Sequence, residues 1–412
     1  MRVPPWSLLL LSLTATPAAA QTPQERLLAA LQANRLPLTM SEGRPAGPGW
    51  DFLVREARNA RFTLIGEEHG VAETAQLSAA LFGALRASGY SRMAIELSPP
   101  IAQDIEAAAR RNGVPGIEEF LKTPGIFTFY NLHEEAQFVA DVVAAGPKNE
   151  RVLWGFDREI FSDRYLISKL EPKVPREGEA RAAFARLKAA SDSARAKNAR
   201  TGNPDDLFFL AEDSATASTL RAAWPHPDLE SDVVMRTIEG SLAIETAERT
   251  GGAWPYMQRR AQWGRTNFAG LLRTGSPKIL MKFGYNHMIR GANYFNFFDI
   301  GTMADEVAAL TGERAFHILV LPGPGSRQAV LGGNGFSSVA SDSVDEMRAG
   351  DQRLTRLLSN ANATGHEVID LRPLRGLAMR GLETWNADLV RTIHGYDAVV
   401  IWKGARASTG LK

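Results

Sequence analysis

The chain has 412 residues, 47 Lys and Arg against 46 Asp and Glu, a formal charge of +1, and no cysteine. Balanced charge excludes a protein built to hold polyanions, so no nucleic-acid partner is expected. The missing cysteine excludes a disulfide scaffold, thiol catalysis and a Cys-linked lipid anchor; stability must come from an apolar core, and the chain is long enough to build one.

Residues 1–20 read as a secretory signal peptide: Arg2, the apolar stretch WSLLLLSLTA, and the small residues PAAA before Gln21. The apolar stretch falls short of the roughly 20 residues of a membrane span. The expected mature chain begins at Gln21, is nearly neutral, keeps no membrane anchor and is periplasmic or secreted. Residues 23–57 predict an amphipathic lead-in, PQERLLAALQANRLPL, a Pro/Gly-rich link, SEGRPAGPGW, and DFLVREARN. A β–α alternation follows. Its strands are RFTLIG, SRMAIEL, RVLWGFD, PKILMKFG, AFHILVLPG, HEVIDL and YDAVVIWKG. They are short and apolar without polar alternation, as strands covered on both faces are. Helical stretches such as ETAQLSAALFGALRASG and EEAQFVADVVAAG lie between them.

From Phe161 to Arg273 there is no strand signal, only helix starts at NPDDLFFLAEDSA and HPDLESDVVMRTIEG. The expected fold is α/β: a mostly parallel central sheet flanked by helices, with a helical insertion lobe over the C-terminal strand edge. The expected division is a first core half at 21–160, the helical insertion at 161–273 and a second core half at 274–412. The Gly-rich LPGPGSRQAVLGGNG lacks the ending of a phosphate loop and has Gln328 where a dinucleotide fingerprint needs glycine, so it reads as a mobile loop over the rim.

In an open parallel sheet the carboxyl ends of the strands share one edge, and ligands bind there. The first strand of the alternation ends in Glu67, Glu68 and His69; the next carries Glu96 in an apolar run; the third ends in Asp157 and Arg158; KILMKFGYNH ends in Asn286 and His287. An isolated buried carboxylate costs on the order of several kcal/mol, so Glu96 requires a cation, a histidine or a metal. Glu73 follows His69 at i+4 and has two readings, a first-turn acid or a site residue. Asp157 and Arg158 also have two, a structural ion pair or site residues. Mid-strand His317 reads as a packed core histidine. The expected catalytic group is Glu67, His69, Glu96 and His287, with Glu73, Asp157, Arg158 and Asn286 toward a small-molecule substrate.

LIGEEHGVAE, MAIEL, WGFDRE, KILMKFGYNHMIRG and YDAVVIWKGARAST resemble, in order and spacing, the erythromycin esterase family and its wider superfamily, which takes in haem-binding lipoproteins and Tiki-type proteases with G-E-x-H motifs. The resemblance runs from about Phe62 to Thr409 and is weak in the helical insertion. Arg260 and Asn267 in RRAQWGRTNFAGLL match a family helix and add Arg260 to the substrate-binding set. One residue separates Glu67 from His69, the shorter superfamily form; the esterases have two. The resemblance implies a sheet flanked by helices with a helical lobe across the cleft. It implies His69 as general base for water, Glu67 and Glu96 as its acidic partners, and His287 as the second histidine. The expectation is an exported hydrolase cleaving an ester, lactone or related acyl bond, with His287 or Arg158 at the oxyanion. Two alternatives use the same residues: a divalent metal held by His69, Glu96 and His287, or a non-catalytic protein that holds haem or another ligand.

Overall fold

The computed structural model describes residues 21–331, 335–341, 365–380 and 387–411. The predicted signal peptide lies outside the described residues. Among the described residues there are eleven strands: β1 (Arg35–Ser41), β2 (Arg44–Ala46), β3 (Phe62–Glu67), β4 (Tyr90–Ile95), β5 (Leu153–Gly155), β6 (Lys278–Gly284), β7 (Ala315–Pro322), β8 (Ser326–Leu331), β9 (Gly335–Ala340), β10 (His366–Asp370) and β11 (Ala398–Trp402). Nine of them form one sheet in the order β2-β1-β10-β11-β7-β3-β6-β4-β5. Every pairing from β11 to β5 is parallel. β10, β1 and β2 extend the sheet antiparallel at the other edge.

All seven predicted strands are in this sheet, and the fold is the expected mostly parallel α/β type. Its faces explain the missing polar alternation. Leu64 and Val399 join one apolar core with Met281 and Phe268, while their neighbours Ile65 and Val400 join the other with Leu81 and Ile101. With both faces buried, successive side chains are apolar whichever way they point.

Two expectations need correction. The lead-in carries the helix Pro23–Ala33, started by a Thr22–Glu25 capping box, but the RLPL that closes the amphipathic stretch begins β1, and the Pro/Gly-rich link supplies the turn and β2 of a hairpin. Glu42 (φ 50°) and Gly43 (φ 74°) form the two-residue turn between paired Ser41 and Arg44, and positive φ at both positions suits the right-handed twist of a hairpin. The Gly-rich segment expected as a mobile loop carries β8, which pairs antiparallel with β9; its residues 332–334 lie outside the described residues.

The stretch between β5 and β6 is helical: Asp163–Leu170, Gly178–Thr201, Phe208–Ala211, Ser214–Ala223, Leu229–Gly251 and Ala253–Leu272. Asp228 caps the fifth of these helices by accepting from Ser231 N at 2.8 Å. Gly252 at φ 79° breaks the chain between the last two. The helix 253–272 then passes over the ends of β4 and β5, where Arg260 and Trp263 bond to Glu96 and Asp157.

Candidate active site

β3 leaves the sheet at Glu67, and Gly70 turns the chain. Its φ is 82°, and a Cβ there would lie 2.2 Å from the Gln328 carbonyl oxygen of β8, so only glycine fits. Gln328 N and Ser408 N both donate to Gly70 O, at 2.9 and 3.0 Å, and lock the turn. Glu67 and His69 are thereby set side by side, with His69 Nδ1 2.9 Å from Glu67 Oε1. Phe129 stacks on the imidazole at 4.6 Å between ring centres.

Glu96 follows β4 directly, and its carboxylate is the hub of the site. Oε1 accepts from Arg260 at 2.8 Å and lies 3.4 Å from His287 Nε2; Oε2 accepts from Gly284 N at 2.6 Å and lies 3.4 Å from His69 Nε2. Arg260 also forks onto Asp157, at 3.0 Å to Oδ1 and 2.7 Å to Oδ2. His287 donates through Nδ1 to Asp299 Oδ2 at 2.8 Å. The strand ends thus bring Glu67, His69, Glu96, Asp157, Asn286 and His287 together, with Arg260 from the helical segment. All of these but Asp157, which is held against Arg260, line a cleft of about 300 Å³, where the His69 side chain is 26% exposed.

The charges are mutually held. Burial pushes the Glu96 carboxyl up, but both imidazoles outweigh it and keep it well below the usual carboxylate range. Burial likewise raises Glu67, and Lys282 and His69 bring it net down. For Asp157 the opposing cations are Arg260 and Arg158. Burial works against the charged form of His69, yet Glu96 and Glu67 push its pKa up to about 10. His287 is depressed by burial and by Arg260, but Asp299 and Glu96 prevail and lift it to about 9.

Several predicted residues lie elsewhere. Glu73 is buried outside the cleft, where its carboxylate accepts from Arg406 N at 3.0 Å and Nε at 2.7 Å; it fastens the C-terminal segment. The Arg158 guanidinium turns away to Glu245 and Tyr256, which removes it from an oxyanion role. His317 is fully buried in β7 and bonds Met288 O at 2.7 Å, as a core histidine does.

Sequence reasoning missed three groups. Lys282, 2% exposed inside β6, reaches Glu67 Oε1 at 2.7 Å and both oxygens of Glu135 at 3.0 Å. Its signal was present: a lysine in the apolar run KILMKFG needs a buried counter-charge as much as Glu96 does. Glu135 opens the helix His133–Ala145 and looked like an ordinary first-turn acid; burial, against Lys282, pushes its carboxyl up to about 7. Asp299 had the sequence appearance of a helix cap, and it is one for Ile300–Leu310, but its second oxygen orients His287.

The set does not suit a divalent metal. Both oxygens of Glu96 already accept from Arg260 and Gly284, and the cation beside it is a guanidinium. Among the described residues no group of three His, Asp or Glu side chains has metal-holding geometry. What the set does suit is proton transfer. With Nδ1–H donated to Glu67, neutral His69 turns the lone pair of Nε2 toward the cleft. The 3.4 Å gap to Glu96 is longer than a firm charged hydrogen bond. A Cβ on residue 284 would lie 3.2 Å from Nε2, so Gly284 keeps the space beside it open.

No protein-family model and no curated protein sequence matches the chain. Solved structures do. A succinoglycan biosynthesis protein is similar with a TM-score of 0.62 at 14% identity, over 94% of this chain and 99% of its own. A Bacillus cereus protein is similar with 0.60 at 13%, over 94% and 99%. An erythromycin esterase, a histidine-to-asparagine mutant in its open conformation, is similar with 0.57 at 13%, over 88% and 95%. At these identities the likeness is one of fold: the chain shares the α/β architecture of an erythromycin esterase.

Proposed function

We propose that the protein is an exported hydrolase of a small-molecule ester, lactone or related acyl bond, with water activated by His69. The observation that carries this reading is the Glu67–His69 pair, bonded at 2.9 Å and opening at Nε2 onto a cleft that also holds His287 and Arg260. The leader-like first twenty residues support export, and the shared fold of an esterase supports the reaction class.

Neutral His69 takes a proton from water at Nε2 while Glu67 stabilises the imidazolium that forms. The hydroxide adds to the carbonyl carbon. His287, lifted to about 9 and so charged at neutral pH, faces the oxyanion together with Arg260. Collapse breaks the acyl–oxygen bond, and the departing alkoxide takes the proton back from His69, giving acid and alcohol. Because the His69 pKa stands at about 10 and the His287 pKa at about 9, the required forms coexist in a minority at neutral pH, and turnover climbs to a maximum between about 9 and about 10 and falls above it as His287 loses its charge.

The test is an ester and lactone panel, macrolides included, run with and without chelator. Wild type turns over at least one member, chelator changes nothing, and His69→Ala loses roughly 10²–10⁴-fold. Equal turnover by His69→Ala overturns the mechanism. No turnover on any member, together with a Soret band on adding haem, replaces hydrolysis by ligand binding.

A further inference from the structure

A second cavity lies farther along the same face of the helix 253–272. It encloses about 270 Å³, and its walls include Arg151, Arg236, Arg273, Trp154 and Trp263 but no acidic side chain. The helix serves both spaces: Tyr256 and Arg260 line the cleft, and Trp263 and Asn267 line this cavity.

Its charges are partly compensated: Asp232 meets Arg236, and Glu106 and Asp104 act on Arg151 from outside the walls. Arg151 is fixed by backbone carbonyls, with Nε 2.8 Å from Leu153 O and one terminal nitrogen 3.2 Å from Pro99 O. Its guanidinium lies over the Trp154 ring at 4.6 Å. Arg236 meets Asp232 through Nε at 3.0 Å on an exposed helix face. Arg273 is exposed just past the end of the helix. Three guanidinium groups around a recess with apolar walls concentrate positive potential there, and the guanidinium fork matches the oxygens of a carboxylate or phosphate.

The tryptophans define the rest of the partner. Trp263 cannot swing freely: it packs against Gly240, where even a Cβ would lie 2.4 Å from its ring, and its Nε1 donates to Asp157 O at 2.9 Å. Fixed indole surfaces beside fixed cations favour a flat apolar body that carries an anionic group. The volume is near the lower end for small-molecule sites, which admits a single ring rather than a larger compound.

We propose that this cavity is a second binding site, independent of the hydrolytic cleft, for a small planar organic anion: an aromatic carboxylate or an aromatic phosphate monoester. Isothermal titration tests it with benzoate and phenyl phosphate, using uncharged benzamide and inorganic phosphate as comparisons. Wild type binds at least one aromatic anion saturably, binds inorganic phosphate more weakly and does not bind benzamide. The double variant Arg236→Glu/Arg273→Glu, altered only at exposed positions outside the cleft, loses affinity by about tenfold or more, as expected for removing charge-assisted contacts. Unchanged thermal unfolding of that variant shows that the loss is local. The site is refuted if no saturable heat appears at concentrations on the order of 10 mM. It is equally refuted if benzamide or inorganic phosphate binds as well as the aromatic anions, or if the double variant binds like wild type.

Discussion

Lys282 holds two buried carboxylates, Glu67 and Glu135, and among the described residues the other cation bonded to either is His69 on Glu67. Removing one partner of such a group leaves uncompensated charge in the interior. Lys282→Met should therefore cost about 3–5 kcal/mol in urea unfolding; a loss below about 1 kcal/mol would show that Glu67 and Glu135 are satisfied without it. Asp299 acts on His287 in a defined direction. It raises the pKa of that imidazole, so Asp299→Asn lowers it, and His287 loses its charge at a pH where wild type keeps it. The variant should lose kcat most in the upper part of the pH range, and a uniform loss at all pH values would speak against an oxyanion role. At this scale the sequence was partly legible. Glu96, His69 and His287 stood out because ionisable groups at apolar strand ends require partners. Asp299 and Glu135 did not, because each also satisfies the ordinary demand of a helix start. Glu73 misled for the same reason in reverse: its i+4 spacing from His69 was real, but Arg406, far away in sequence, claimed its carboxylate.

The element on which the site depends is the exit of β3. All six of its residues are buried, so the strand is fixed by the core, and Gly70 decides where His69 goes. Gly70→Ala places a side chain at φ 82° and against the backbone of β8. The left-handed conformation alone costs about 1–2 kcal/mol, and the clash must displace either the turn or the hairpin. The expected outcome is a lower Tm together with a fall in kcat; a Tm within about 1 °C of wild type with full activity would mean that the turn is not what sets His69. Strands buried on both faces were readable because continuous apolar runs of that length have few other uses. The β1–β2 and β8–β9 hairpins were not, because their strands are partly exposed and their glycines and prolines read as loop. The crossing of helix 253–272 over β4 and β5 was also hidden: its packing is set by contacts across the fold, with Arg260 reaching Asp157 and Glu96 from more than a hundred residues away.

For the whole molecule, the ionised cluster sets a pH window for stability. Glu67, Glu96 and Asp157 are depressed in the folded state. Their contribution is present above the unfolded carboxylate values and is lost as pH falls through the lower folded ones. His69 and His287 are raised, so their contribution is complete below the ordinary imidazole value and is lost as pH rises through about 9 and about 10. Thermal unfolding across pH should give a plateau with falls at both the acid and the alkaline end; a Tm that keeps rising above the folded histidine values would contradict this. The same charges bear on catalysis, where the central claim is that His69, oriented by Glu67, removes the proton from water. The most direct test is the pH profile of kcat/KM for wild type and Glu67→Gln on a hydrolysed ester. Wild type should show a maximum between about 9 and about 10, where His69 gives up its proton and His287 its charge, and the variant a rising limb shifted to lower pH, since Glu67 helps to raise the imidazole. A rise that stays at the same pH when Glu67 loses its charge would contradict the claim.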